Sequence, residues 1–224
     1  IRDLLMDKTA NDIDIVVDND GIDFAEKLSK KIKSNGFVAF KKFGTAQIIC
    51  DTCKIEITTA RTETYIENSR KPKVEFCDIN KDLSRRDFTV NAIAVSIMPQ
   101  NYGAIIDPFN GIKDINNRKL ITPLNPDKTF IDDPLRMLRA VRFSAQLKFE
   151  IDIKSLNSIK KNRNRLKIIS QERITEELIK LLSTNKPSIG FYLMRDTQLL
   201  KYVFPEMLDM PGVEIINGMG HKDV

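Results

Sequence analysis

Apolar residues change their spacing once along this chain, and that change limits the fold more than any other feature. Before about residue 122 they come in short β-branched runs, at Ile13–Val17 and in "FVAFKKF", "TAQIIC" and "KIEITTA". Alternation of this kind suits strands with one buried face. From Asp132 onward they recur at helical spacing in "DPLRMLRAVRFSAQL", "IDIKSLNSIKKNR", "SQERITEELIKLLS" and "PSIGFYLMRDT", and strand signals vanish. The pattern predicts an α+β fold: a small mixed or antiparallel sheet backed by helices, followed by an all-helical part. The join is expected near Thr122–Asp127, where "TPLNPD" supplies two prolines.

Within the first half, "GIDFAEKLSKKIKSNG" places Phe24, Leu28 and Ile32 on one helical face and is expected to end at Gly36. "RTETYIENSRKPKVEFCDINKDLS" is charged and aperiodic, which predicts a long mobile loop. "RRDFTVNAIAVSIM" is expected to resume as a helix. Three units follow from this division: residues 1–122, residues 123–205, and residues 206–224 as the start of a further domain. The chain opens without Met on "IRDLLMDK" and stops at "GMGHKDV", so it is expected to be a piece of something longer.

Composition narrows the class. Of 224 residues, 42% are hydrophobic, yet none of them gather into a membrane-spanning run or a leader-like segment. The cysteines Cys50, Cys53 and Cys77 are read as forming no C-x-x-C pair, and the lone His221 stands far from them, so a structural zinc site is not expected. A reduced, cytoplasmic protein is the expectation. The net charge of +5 is modest, but Lys160, Lys161, Arg163, Arg165 and Lys167 crowd one short stretch. A solvated helix end accounts for such a run, and so does a surface for phosphates.

In "TANDIDIVVDND", alternation puts Asp12 and Asp14 on one face of a strand and Ile13, Ile15 and Val17 on the other. Two like charges side by side repel, so either water or a cation must answer them. Glu56, between Ile55 and Ile57 in "KIEITTAR", is a third acid able to reach the same face. Three acids from neighbouring strands offer hard oxygens suited to Mg²⁺ with room left for phosphate oxygens. Such ions can activate a hydroxyl and stabilise the leaving oxygen of an in-line phosphoryl displacement. A surface-facing strand residue explains Glu56 equally well.

Two further stretches carry arginines where anions could be met. "RRDFTVNA" sets Arg85, Arg86 and Asp87 together, with guanidinium groups matched to phosphate oxygens and a carboxylate able to accept from a ribose hydroxyl. Ordinary helix-start chemistry would also place an Asp there. In "DDPLRMLRAVRF", Asp133 before Pro134 has the form of a helix N-cap. Arg136, Arg139 and Arg142 then recur every three residues beside an apolar side of Leu135, Leu138 and Val141. A basic ridge this dense is expected to face anions.

Taken in order, the DxD strand, the acid in the meander, "RRDFTVNA", "DPFNGIKDI", "DDPLRMLRAVRF" and "SQERITEEL" resemble the class II tRNA nucleotidyltransferase and bacterial poly(A) polymerase family, within the polymerase-β-like nucleotidyltransferases. The likeness spans essentially the whole chain. Of the family's opening Gly-Gly-x-Val-Arg-Asp, Arg2 and Asp3 are matched by "IRD". The resemblance implies a nucleotidyltransferase head followed by a helical neck, and an enzyme acting on RNA 3′ ends. It implies Asp12, Asp14 and Glu56 as the catalytic acids, with Mg²⁺ on Asp12 and Asp14. Arg2 and Arg86 would hold the triphosphate and Asp87 the sugar. Asp133 and Arg136 would read the base, with Arg139 and Arg142 supporting base or phosphates. Cytosine and adenine each present an amino donor beside a bare ring nitrogen, which an acid–arginine pair can match.

By the same resemblance, Glu172 and Arg173 would brace the base-reading helix, and "DPFNGIKDI" would form a hinge. Asp132 stands where relatives usually carry Glu. The implied partners are a tRNA 3′ end with CTP and ATP as substrates, and no membrane. The implied reaction is template-independent transfer of CMP and AMP to tRNA. Alternatives are poly(A) addition to RNA 3′ ends, nucleotidylation of a small molecule, and an RNA-binding relative without catalysis. The start of an HD-type domain is implied by "GHKDV", with no role assigned to His221.

Overall fold

The structure, a computed structural model, describes residues 1–9, 12–41, 44–51, 53–64, 73–209, 214–216 and 219–221, and the side chains at 62–64, 73–74, 209, 214–216 and 219–221 are not described. After a short helix α1 (Arg2–Leu5), strand β1 (Asp12–Val17) leads into helix α2 (Gly21–Lys31). Asp20 starts α2 by accepting from the Ile22 and Asp23 backbone N–H groups. Gly21 is required there: a Cβ would lie 2.9 Å from the Thr59 backbone nitrogen. Strands β2 (Gly36–Phe40), β3 (Thr45–Ile49) and β4 (Lys54–Thr59) then form a meander. The sheet order is β1-β4-β3-β2, with β1 parallel to β4 and the other pairs antiparallel.

One face of this sheet closes on α2. Ala25, Ala46, Ile48 and Ile57 are fully buried there, with Ile15, Val17, Leu28, Phe37 and Ile55 packed around them. The opposite face holds Asp12, Asp14, Glu56 and Gln47 and stays open to solvent. Helix α2 ends at Lys31 rather than Gly36. Lys33 takes the left-handed conformation (φ 52) that turns the chain, and Gly36 opens β2.

Three local expectations need correction. Part of the expected loop is a hairpin of β5 (Arg61–Thr64) and β6 (Lys73–Phe76), followed by helix α3 (Ile79–Ser84), while residues 65–72 lie outside the described residues. A two-stranded ribbon need bury no face, so its charged sequence carries no apolar alternation. "RRDFTVNA" is not a helix: Thr89–Asn91 form a single 3₁₀ turn, and Ala94–Val95 pair with Ile105–Ile106 as short strands. The Thr89 N–H is taken by the Ile121 carbonyl at 2.8 Å, a tertiary bond that displaces any helical ladder. Finally, Cys50 and Cys53 do stand at C-x-x-C spacing; they face each other across the β3–β4 turn as free thiols. Among the described residues no group of three or more His, Cys, Asp or Glu side chains is placed to hold a metal ion together.

After helix α4 (Gly111–Asn116) come helices α5 (Pro126–Asp132), α6 (Leu135–Leu147), α7 (Ile153–Asn162), α8 (Gln171–Leu182), α9 (Pro187–Asp196) and α10 (Leu200–Val203). Helix α6 is central and buries Leu135, Met137, Leu138, Ala140, Val141, Phe143, Ala145 and Leu147. The core does not break at residue 122. Phe88, Val90, Ile93, Ile115 and Leu120 belong to the same apolar cluster as α6, α8 and α9. Phe88 meets Phe143 edge-on at 6.0 Å, and burying a ring of this size contributes roughly 2–3 kcal/mol.

The basic run of 160–167 is spent largely on the fold. Lys161 pairs with Asp127 at 2.6 Å, and Arg165 donates to the Ile131 carbonyl. Arg163 donates to the Lys160 carbonyl, and Lys167 lies over the Tyr202 ring. None of the helices among the described residues is long and apolar enough to cross a membrane.

Candidate active site

The open face of the sheet brings the expected acids together. Parallel register sets Asp14 beside Glu56 and Asp12 beside Lys54. Antiparallel register sets Gln47 on the far side of Glu56, where its amide nitrogen lies 3.5 Å from the Glu56 carboxylate. Asp12 and Asp14 are exposed, and neither makes an ion pair or a side-chain hydrogen bond among the described residues. Strand pairing therefore holds two neighbouring carboxylates with no ion pair among the described residues, Lys54 being the cation in register beside Asp12. Their oxygens are hard donors on an open surface, a set that fits a divalent cation keeping other coordination positions for water or phosphate oxygens.

The second group gathers where α3 meets α6. Asp82, fully buried, holds Arg85 (2.8 Å) and Arg86 (3.0 Å) at once. Burial pushes the Asp82 carboxyl up, but the guanidinium groups of Arg86 and Arg85 outweigh it and hold it below the usual carboxylate range. The Arg85 carbonyl accepts from Arg136 Nη2 at 2.7 Å. Asp133 terminates α5 and starts α6, its Oδ1 accepting from the Leu135 N–H at 3.2 Å. Its Oδ2 lies 3.5 Å from Arg173, so the expected brace from α8 is in place, supplied by Arg173. Burial raises the neighbouring Asp132 carboxyl despite Lys128, Arg136 and Arg165 nearby.

Arg2 reaches this region from the N-terminal end. Its Nη1 donates to Asn91 at 2.7 Å, its Nε donates to Asp3, and its guanidinium lies 5.1 Å from the Phe143 ring centre. Arg139 and Arg142 pack on the same ring at 5.3 and 4.0 Å. Three cations thus share one aromatic face and edge, each also holding an acceptor.

Two expected nucleotide contacts are instead spent inside the protein. Asp87 Oδ2 accepts both Nε and Nη2 of Arg139 at 2.8 and 2.5 Å. Asp87 Oδ1 takes the Phe88 N–H and the Asn91 amide. No oxygen of Asp87 is left for a sugar hydroxyl. Burial raises its carboxyl, while Arg139 and the Asn91 bond reverse that and keep it ionised. Arg142 is 8% exposed and holds Glu177 at 2.7 Å and Gln146 at 2.7 Å. The basic ridge does face anions, but they are the protein's own: Asp87 for Arg139 and Glu177 for Arg142, with a carbonyl for Arg136. A 3.6-residue period puts positions 136, 139 and 142 on slowly turning directions, so the last of the three faces the core.

Sequence reasoning missed Asp82, Glu177 and Asn91. Glu177, also buried, answers Arg142 at 2.7 Å, Lys180 at 3.4 Å and Arg139 at 3.9 Å. Signals existed for two of them: on α8 Glu177 falls on the face of Ile174 and Leu181, where an acid needs a buried partner, and Asp82 precedes Arg85 and Arg86 at helical ion-pair spacing. In "DPFNGIKDI", Asp107 caps the Gly111 and Ile112 N–H groups, and Asp114 accepts from Thr89 at 2.6 Å. The Thr89–Asp114 bond ties α4 to the turn after Asp87.

Known proteins share this arrangement. Residues 1–121 match the family described as "Poly A polymerase head domain", and residues 148–210 match "Probable RNA and SrmB- binding site of polymerase A". The CCA-adding enzyme of Lactobacillus helveticus is 38% identical over 201 residues, covering 89% of this chain and 48% of its own length. An A-adding tRNA nucleotidyltransferase of Aquifex aeolicus is 38% identical over 180 residues, covering 80% of this chain and 22% of its own. A crystal structure of a tRNA nucleotidyltransferase complexed with a primer tRNA and an incoming ATP analog superposes with a TM-score of 0.79 at 32% identity, over 91% of this chain and 56% of that one. The chain spans about half the length of the CCA-adding relatives it matches. Its fold is that of a polymerase-β-like head joined to a helical neck, and the family implies dependence on a divalent metal. With its head matched over more than half its length, this chain belongs to the class II tRNA nucleotidyltransferase and poly(A) polymerase family.

Proposed function

We propose that this chain catalyses template-independent transfer of CMP and AMP from CTP and ATP to the 3′ end of tRNA, with release of pyrophosphate. The observation that carries the reading is a contrast in charge matching. Asp82, Asp87 and Glu177 each hold arginines, whereas Asp12 and Asp14 make no ion pair among the described residues and lie with Glu56 on an open sheet face. Exposed carboxylates without an ion pair, side by side on one strand face, suit a cation brought with the nucleotide. The relatives that carry the same fold are named for adding CCA or A to tRNA.

In this reading Asp12 and Asp14 hold Mg²⁺, and Glu56, one strand away, assists at the acceptor hydroxyl. When bound, the ions lower the pKa of that hydroxyl and neutralise charge on the leaving pyrophosphate. Arg86 and Arg2 present guanidinium N–H groups to the triphosphate. Arg136, anchored by one nitrogen on the Arg85 carbonyl, keeps its other N–H groups for the base. Asp133 supplies the acceptor, oriented by the Leu135 N–H and Arg173. Asp87 holds Arg139, and Arg142 is held by Glu177, instead of touching the nucleotide. Catalysis is then mostly positioning and electrostatics, as in phosphoryl transfer generally. A tRNA substrate also implies a cytoplasmic site of action.

The test is incorporation by the full-length protein that carries this chain, given tRNA ending before CCA, Mg²⁺ and each labelled nucleotide singly and together. Defined additions of C and A that require Mg²⁺ are expected. Unlimited A tailing would point to poly(A) synthesis, and no incorporation at all would overturn the proposal.

A further inference from the structure

Asp82 lies outside every role assigned above, yet it is fully buried and makes five hydrogen-bond contacts. Its Oδ1 accepts from Arg85 Nη2 at 2.8 Å, Arg85 Nε at 3.1 Å and the Arg61 backbone N–H at 3.2 Å. Its Oδ2 accepts from Arg86 Nη2 at 3.0 Å and Nε at 3.3 Å. One carboxylate thereby fixes two consecutive guanidinium groups in different directions. The Arg85 side chain is further locked by donating to the Arg61 carbonyl at 2.9 Å. Its own main-chain carbonyl is then held where Arg136 Nη2 meets it at 2.7 Å.

We infer that Asp82 is a positioning residue for nucleotide selection: it sets Arg86 toward the phosphates directly, and sets Arg136 toward the base through the main chain of Arg85. The inference rests on the function proposed above. A buried charge cluster is a poor way to gain stability alone, because apolar residues of similar volume do as well or better. What a bidentate cluster provides is direction, and two of the three arginines assigned to the nucleotide, Arg86 and Arg136, depend on this one. Arg86 keeps a 30% exposed side chain, so its outer edge can reach a ligand while its inner edge is held.

Steady-state kinetics of Asp82→Asn in the full-length protein, with tRNA ending before CCA, test the idea. Asn keeps the shape and loses the charge. The expected result is a KM for CTP and ATP raised about 10- to 100-fold, the range for misplacing a positioning group. A fall in the preference for CTP over UTP is expected alongside, while kcat at saturating nucleotide changes far less. In an Arg86→Ala background the same substitution should add little to KM but still lower the CTP/UTP ratio. A merely structural role would instead lower activity in step with the folded fraction and leave the ratio unmoved, and that outcome overturns the inference. Should Asp82→Asn fail to fold, Asp82→Glu retains the charge and moves the oxygens by one methylene. The same split is expected of it, and an unchanged KM and ratio would be equally decisive. If the unsubstituted protein transfers nothing, the proposed function fails instead, which separates the two.

Discussion

At the scale of single residues, the site is a set of acids sorted by whether the protein answers them. Glu177 is the acid on which most depends, since Arg142, Arg139 and Lys180 all point at it. Glu177→Ala leaves Arg142 buried without its anion and is expected to cost about 3–5 kcal/mol in urea unfolding. Glu177→Gln, which still accepts, should cost less. The answered acids also predict an acid limit. Asp82 and Asp87 have carboxyls held below their ordinary range, so their contribution to stability is complete above the unfolded value of about 3.9. That contribution is lost as pH falls further, through their lower folded values. Urea midpoints measured from pH 6 to pH 2 should therefore hold until about pH 4 and then drop, with a shallower drop in Asp87→Asn. Asp12 and Asp14 were legible in the sequence because alternation in a strand assigns a face without further information. Asn91 was not, because its partners Asp87 and Arg2 are set by a turn shaped by the tertiary bonds of Thr89 to Ile121 and Asp114. Asp82 was overlooked although Arg85 and Arg86 follow it at three and four residues, the spacing that pairs side chains along a helix.

At the scale of elements, helix α4 is docked on the turn after Asp87 by an unusually close approach. A Cβ on Gly111 would lie 2.2 Å from the Thr89 carbonyl oxygen and 2.8 Å from Ile93. In an exposed helix a Gly→Ala change would gain up to about 1 kcal/mol. Here Gly111→Ala is expected to lose about 3 kcal/mol, read as a lowered Tm, because both obstacles are fixed in the core. The long helices α6 to α9 were readable from their spacing, since packing only reinforces what the period already demands. The β5–β6 hairpin and the turn at Thr89–Asn91 were not, because neither has a repeating apolar face. Arg142 was misplaced for a related reason: a helix turning by 3.6 residues cannot keep every third position on one side.

At the scale of the whole molecule, two cores divide the chain, and the division is not where the prolines suggest. The sheet core ends at Ile57, whereas the helical core begins at Phe88 and runs to Val203. A fragment of 123–224 would lack Phe88, Val90, Ile93, Ile115 and Leu120 and leave α6 facing solvent. It is expected to show no cooperative thermal transition by circular dichroism, while a fragment beginning near residue 78 should retain one. The change of period near residue 122 marked a change of secondary structure, which sequence reports well. It did not mark a change of core, which depends on contacts between distant segments. Recombination among relatives faces the same geometry. A crossover at the proline pair would hand a foreign helical half an ill-fitting Phe88 and Ile115, whereas one inside the hairpin would pass that interior on whole. The heritable module is thus longer than the helices alone, and its seam runs through the ribbon, none of whose described side chains belongs to either apolar cluster.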